Sequence, residues 1–247
     1  MMPTREEAKH TRRKRILRAA RDLVRETEKT GFSMRALAER ADVSLVTPYN
    51  LLGSKQAIMF ALLDEDIQQY ARRLRRSKKN ELELIFEAVT LGRKFFEKEP
   101  EYYRTVLFAV YNDGGREYRS MFRGPRRALW SSLVEAAVEA KYLKPEVDTD
   151  AFSINLALIY FAAILDWVAG EMSLEEMEIR TQYGFALSLL AVAMPRHRDQ
   201  IHGHLMKMQG KLGRLSSARR KSEKGSETQA KADDPAAGGR VKAAGAS

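Results

Sequence analysis

The 247-residue chain contains no cysteine. That absence removes disulfide frameworks, thiolate metal sites and thiol nucleophiles together. Histidine is scarce: His10, His197, His202 and His204 all fall outside residues 11–196, so the middle of the chain has no imidazole base. A glycine-rich phosphate loop and a Gly-x-Ser-x-Gly elbow are also missing. No catalytic residue, cofactor or metal site is therefore expected, and His202-Gly203-His204 supplies too few ligands for zinc. The longest apolar run, Leu156 to Leu165, is closed off by Asn155 and Asp166, well short of the ~20 residues of a membrane span. Met1 to His10 is charged and has no apolar signal-like core. The expectation is a cytoplasmic protein without a membrane partner.

Charge is abundant and unevenly spread. The chain carries +10 overall, with 19 Lys/Arg against 10 Asp/Glu in residues 1–79, 12 against 18 in 80–194 and 12 against 5 in 195–247. A basic head and a basic tail flank a mildly acidic body, which points to a polyanionic partner. From about Ser216 the tail is rich in Lys, Ser, Gly and Ala and lacks aromatic residues. Such a composition buries too little surface to offset its ordering entropy, and disorder is expected there.

Period-2 alternation is absent, and apolar residues recur at helical spacing, so the fold class is all-α. Helix one is expected over Thr11–Lys29, with Ile16, Ala19, Ala20, Leu23 and Val24 on one face and a stop at Gly31. Ser33 caps a helix over Met34–Arg40, and Ser44 one over Leu45–Leu51. Gly53-Ser54 ends that helix and caps a fourth, Lys55 to about Arg76. Five more fit the body: Glu81–Glu99, Glu101–Asn112, Pro125–Lys141 after a short piece near Tyr118, Asp150–Gly170 and Leu174–Met194. The last opens on the capping box Ser173…Glu176. A weak helix over 196–215 completes the set.

Two short helices joined by Ala41-Asp42-Val43, behind a supporting helix in the basic head, form a helix-turn-helix pattern. The run Ile16–Glu65 closely resembles the DNA-binding domain of the TetR family of transcriptional regulators. The matching residues are Ile16, Ala19-Ala20, Gly31-Phe32-Ser33, Leu37-Ala38, Ala41-Asp42-Val43-Ser44, Thr47 with Tyr49, and Gly53-Ser54-Lys55. Two positions depart from the family pattern: Pro48 replaces an aliphatic residue and Leu52 a large aromatic. Proline is tolerated near a helix start, so a short or slightly bent recognition helix is expected. The resemblance implies a N-terminal extension (1–10), a three-helix helix-turn-helix DNA-binding domain (11–55) and a connecting helix (56–79). A C-terminal helical ligand-binding and dimerisation domain (80–195) and the basic tail (196–247) follow.

Residue chemistry distributes the expected roles on double-stranded operator DNA. Arg12, Arg13, Lys14 and Arg15 can neutralise phosphates, Tyr49 can donate to a phosphate oxygen, and Lys55 adds charge to the amide-rich start of helix four. Arg35 can bridge guanine O6 and N7, Thr47 and Asn50 can reach base edges, and Leu45-Val46 suit thymine methyls. By the resemblance, Ser33, Arg35, Ser44, Leu45, Val46, Thr47, Tyr49, Asn50 and Lys55 occupy the family's DNA-facing positions. The basic run Arg72–Lys79 reads as a solvated face.

Large aromatic residues crowd the body, most of them ordinary core. Helix bundles line ligand cavities with such residues and a few polar ones. The candidates for a small-molecule effector site are Arg104, Phe108, Tyr111, Trp130, Asn155, Tyr160 and Asp166. The last two body helices are apolar around more of their circumference than one core stripe requires. Small residues such as Ala162, Gly184 and Ala191 permit close approach. A homodimer through these two long helices is expected. The function that follows is a dimeric, sequence-specific regulator, by default a repressor released by a small molecule. A helical enzyme lacks the residues for chemistry, and a nonspecific architectural DNA binder fits the tail but not the large non-basic body.

Overall fold

Helices joined by short turns make up the computed structural model, which describes residues 4–27, 32–113 and 115–232. The elements are α1 (Arg5–Thr27), α2 (Met34–Arg40), α3 (Val46–Leu52), α4 (Lys55–Leu74), α5 (Glu81–Lys98), α6 (Pro100–Phe108), α7 (Gly115–Glu139), α8 (Thr149–Ala169), α9 (Leu174–Val192) and α10 (Arg198–Ala232). Among the described residues the only extended pairing is one antiparallel bridge, Leu143 to Ala193. The fold is all-α, with an N-terminal helix-turn-helix and a larger helical body.

Side chains set most helix starts. Ser33, Ser54, Asn80 and Ser173 each accept from the backbone amide three residues on, and Asp148 accepts from Asp150 and Ala151. Each such cap stabilises by about 1 kcal/mol. α1 begins earlier than the sequence pattern indicated. Thr4 and Glu7 form a reciprocal capping box, with bonds of 2.7 and 3.2 Å, so Arg5–His10 are helical and Arg12–Arg15 lie inside α1. The expected stop at Gly31 lies outside the described residues.

The turn between α2 and α3 closes on a Schellman motif. Val43 N–H bonds the Ala38 carbonyl at 3.0 Å and Asp42 N–H that of Glu39 at 3.1 Å, with Asp42 left-handed at φ +48°. Aspartate is one of the few non-glycine residues that tolerate this conformation. Arg15 then donates to the Asp42 carbonyl at 2.8 Å, pinning the turn to α1.

Three further segments differ from expectation. α3 starts at Val46 with Leu45 at its cap and no side-chain cap bond, while Ser44 Oγ instead pairs with Thr47 Oγ1 at 2.8 Å. This shift places Pro48 third in the helix, where its missing N–H breaks no helical bond. α7 is one helix that runs through Pro125, and it is held by packing on α4, α5 and α8. The tail is helical through Ala232, well past Ser216. α10 packs on α9 and buries Ile201, Leu205 and Met208 at helical spacing, an amphipathic stripe strong enough to anchor its first turns.

One continuous core runs from Ile16, Ala20 and Leu37 in the head to Trp130, Trp167 and Phe185 in the body. α4 joins the two, since it packs on α1 and also on α5, α6 and α7. The strain at Asp42 is testable. Asp42→Val should destabilise the protein by about 1–2 kcal/mol in denaturant unfolding, and Asp42→Gly should not.

Candidate nucleic-acid interface and apolar cavity

α3 turns Pro48 into the interior and leaves Leu51 and Leu52 partly covered against the core. Its other face is open. Leu45, Val46 and Tyr49 are exposed by 50, 59 and 50%, and Asn50 and Ser44 are exposed with them. Nothing in the packing of a seven-residue helix calls for two exposed aliphatics and a tyrosine. Thr47 is half-covered and engaged with Ser44. Arg35 projects from α2 with its guanidinium largely in solvent, paired with Glu39 one turn on. Ser33 is spent on capping α2. Lys55 sits 5.7 Å over the Phe32 ring at the start of α4. None of the nine expected DNA-facing residues is buried.

The cations of α1 divide. Arg15 holds the turn and Arg13 reaches the Leu51 carbonyl at 3.5 Å, whereas His10, Lys14, Arg18 and Arg72 line an open groove between α1 and α4.

Inside the body lies a partly open apolar cavity of about 90 Å³. Tyr111, Trp130 and Tyr160 line it, together with Leu63, Asp66, Ile67, Tyr70, Gly92, Phe95, Phe96, Tyr103, Leu107, Leu129, Phe161 and Ile164. Arg104, Phe108, Asn155 and Asp166 lie elsewhere. Arg104 stacks over Trp167 at 5.1 Å, and Phe108 is 52% exposed. Asn155 and Asp166 share the outer face of α8, where Asn155 reaches Ser188 at 3.3 Å. Eleven residues apart, they lie three helical turns from each other on one side, opposite Tyr160.

Twelve of the fifteen wall residues lie outside the expected effector set, and two of them shape the site. Gly92 lies mid-helix in α5, and a Cβ there would fall 2.0 Å from Tyr160 Oη, so the missing side chain is what lets the tyrosine in. Asp66 lies on the buried face of α4, one turn after Leu62 and one before Tyr70; an acid at that spacing was the available signal. Its carboxylate takes Arg21 Nη1 at 2.9 and 3.0 Å and Tyr102 Oη at 3.1 Å. Arg21 also reaches Tyr102 and Glu65, at 2.8 and 3.3 Å. Burial pushes the Asp66 carboxyl above its ordinary range, against the pull of Arg21 and Tyr102. A second link joins Arg25 of α1 to Glu99, at 2.5 and 2.8 Å. Head and body thus meet through α1 cations and body acids. His204 stacks on Phe86 at 3.9 Å and bonds Gln182 Oε1 at 2.9 Å, while His202 faces solvent. No cluster of three or more metal-ligating side chains occurs among the described residues.

No family model and no curated protein matches the sequence, but solved structures share its fold. A TetR transcriptional regulator from Rhodococcus sp. RHA1 superposes with a TM-score of 0.62 at 18% identity, over 74% of this chain and 98% of that one. A TetR-family regulator from Syntrophomonas wolfei gives 0.59 at 20% identity, over 73% and 96%. Thermus thermophilus FadR, a TetR-family repressor in complex with lauroyl-CoA, gives 0.58 at 19%, over 74% and 95%. The chain has the fold of the TetR-family transcriptional regulators.

Removing the Arg21 guanidinium strands a buried carboxylate. Arg21→Met should destabilise by about 3–5 kcal/mol. With the cation gone the folded-state pKa of Asp66 rises further above the unfolded value, so stability is lost as pH rises through it. Denaturant unfolding should show a larger deficit at pH 8 than at pH 5.

Proposed function

We propose that the chain is a TetR-family regulator, a homodimer that binds a specific double-stranded DNA site and represses until a small molecule enters the body cavity. The observation that carries this reading is the open face of α3, where Leu45, Val46 and Tyr49 project beside Asn50 from a helix whose other side is core. A helix of this kind fits a major groove, and two copies related by a dyad reach successive grooves about 34 Å apart. Tyr49, Lys55 and the basic start of α1 hold phosphates. Arg35, exchanging Glu39 for a guanine, reads sequence together with Thr47, Asn50 and the Leu45-Val46 pair.

Apolar surface supports the dimer. α8 is long and apolar enough to cross a membrane by composition, and only a third of its most apolar window is covered within the subunit. Its uncovered side chains include Ile154, Leu158 and Leu165, with Leu187 on α9. Asp148 and Gly170 terminate α8 with formal caps, and α7 and α9 pack along it. A second copy of the same surface suits a helix with one face already packed. Gly184 already uses its lack of a side chain within the subunit, where a Cβ would stand 3.0 Å from Ile159.

Release by a ligand needs a state that the ligand prefers. Asp66 faces the cavity and grips α1 through Arg21, so a displaced α4 wall moves the head. The working location is the cytoplasm, where the operator is.

A labelled duplex from the chromosomal region beside the gene, titrated against an unrelated duplex across a salt series, tests the reading. The expected preference is about a thousand-fold or more; equal affinities with one common salt slope would sink it. Tyr49→Ala and Lys55→Ala should weaken both duplexes alike, and Arg35→Ala should erode the preference. In sedimentation equilibrium Leu158→Glu should convert dimer to monomer and lower DNA affinity; a monomeric wild type would remove the dimer.

A further inference from the structure

The lining of the cavity defines what it can hold. We propose that its ligand is a compact, uncharged, single-ring aromatic carrying one hydroxyl, seated against Trp130 with the hydroxyl on Tyr160. This rests on the reading of the body as an effector domain and names the chemistry of that site.

Charge comes first. Among the described residues no Lys, Arg or His lines the cavity, so a carboxylate or phosphate entering it would lose its hydration with no cation in return. The single acid, Asp66, is already matched: Arg21 bonds both of its oxygens and Tyr102 a third time. A cationic ligand would have to break that arrangement. What remains is a neutral space in which eight of the fifteen lining residues are aromatic.

Orientation follows from the lining hydroxyls: Tyr103 and Tyr160 both face the cavity, and Tyr160 is the one set beside Trp130. Tyr160 is 9% exposed, its ring stands edge-on to Trp130 at 5.7 Å, and its Oη has no hydrogen-bond partner among the described residues. A cavity-facing hydroxyl that makes no bond within the protein offers a ligand hydroxyl a partner. Tyr70, by contrast, spends its hydroxyl on the Ala88 carbonyl at 2.6 Å.

Size favours a small ligand. The cavity is about 90 Å³, whereas an engineered apolar cavity of about 150 Å³ is what takes benzene. One ring therefore requires modest opening, and a long acyl chain far more. The wall able to give is the π-helical turn Ala109–Asp113 at the end of α6, a geometry found mostly at functional sites. Tyr111 from that turn meets Phe161 at 4.3 Å on the cavity wall.

Isothermal titration of the full-length protein with a series on one skeleton tests the proposal. The probes are 4-methylphenol, toluene, 4-methylbenzoate and 4-methylbenzylamine, with decanoate added. 4-Methylphenol should bind at least ten-fold more tightly than either charged analogue or decanoate. Tyr160→Phe should weaken 4-methylphenol about five-fold, the worth of one hydrogen bond, and leave toluene unchanged. Leu129→Trp, verified as folded by a cooperative melt, should abolish both by filling the space. Tighter binding of an anion, cation or decanoate, no saturable binding of any neutral ring, or full binding by Leu129→Trp would each overturn the ligand class. If the duplex titration still gives a strong site preference, the regulator survives that failure; loss of the preference overturns the regulator itself.

Discussion

A carboxylate buried in an apolar wall must find its counter-charge, and Asp66 finds it across a boundary. Its partner, Arg21, belongs to α1, the helix that supports the helix-turn-helix, and Tyr102 of α6 closes the triangle. Taking away either partner leaves an uncompensated charge in an apolar wall, which is strongly destabilising. The head is thereby tied to α4 beside the cavity, away from the open face of α3. Arg25 and Glu99 add a second, more exposed tie, which contributes less because water screens it. Head and body are joined by this pairing, by the continuous core and by α4, which packs on α1 and on α5, α6 and α7.

The head resolves a conflict between stability and use. A seven-residue helix cannot hold itself together in water, yet α3 must keep one face bare. It does so by committing Pro48, with Leu51 and Leu52, to the core, by starting where proline's missing donor is harmless, and by resting on a turn closed by Asp42 and clamped by Arg15. The departures from the family pattern at Pro48 and Leu52 thus leave the helix short but seated. In the body the opposite economy holds. α8 and α9 keep more apolar surface than the subunit covers, and the uncovered part is continuous with the part that packs.

Between these sits a cavity whose character comes from a glycine and a tyrosine. Gly92 leaves room on α5, and Tyr160 of α8 fills that room with its hydroxyl. Aromatic walls and a neutralised acid give the space shape without charge. The π-helical turn beside it supplies the one segment of wall that departs from regular α-helical packing.

Local signals were legible directly. Ser33, Ser54, Ser173 and the Gly53 turn marked helix ends because capping is decided by neighbours in sequence, and the 3.6 period of Ile16, Ala20 and Leu23 marked the core face. The Thr4…Glu7 box was equally local and extends α1 by a full turn and more. What periodicity could not say was which face of a doubly apolar helix looks where: Asn155 and Asp166 stand on α8's outer side and Tyr160 on its inner side, a choice made by the packing of α7 and α9. Nor could composition tell how firmly α10 begins, since Ile201, Leu205 and Met208 count for stability only once α9 lies beneath them. The sequence by itself determined the helices, their caps and the helix-turn-helix, because these depend on contacts within a few residues. Only the tertiary structure decided the Arg21–Asp66 tie, the cavity and its neutrality, because each joins residues tens of positions apart whose energies exist only when the chain brings them out of water together.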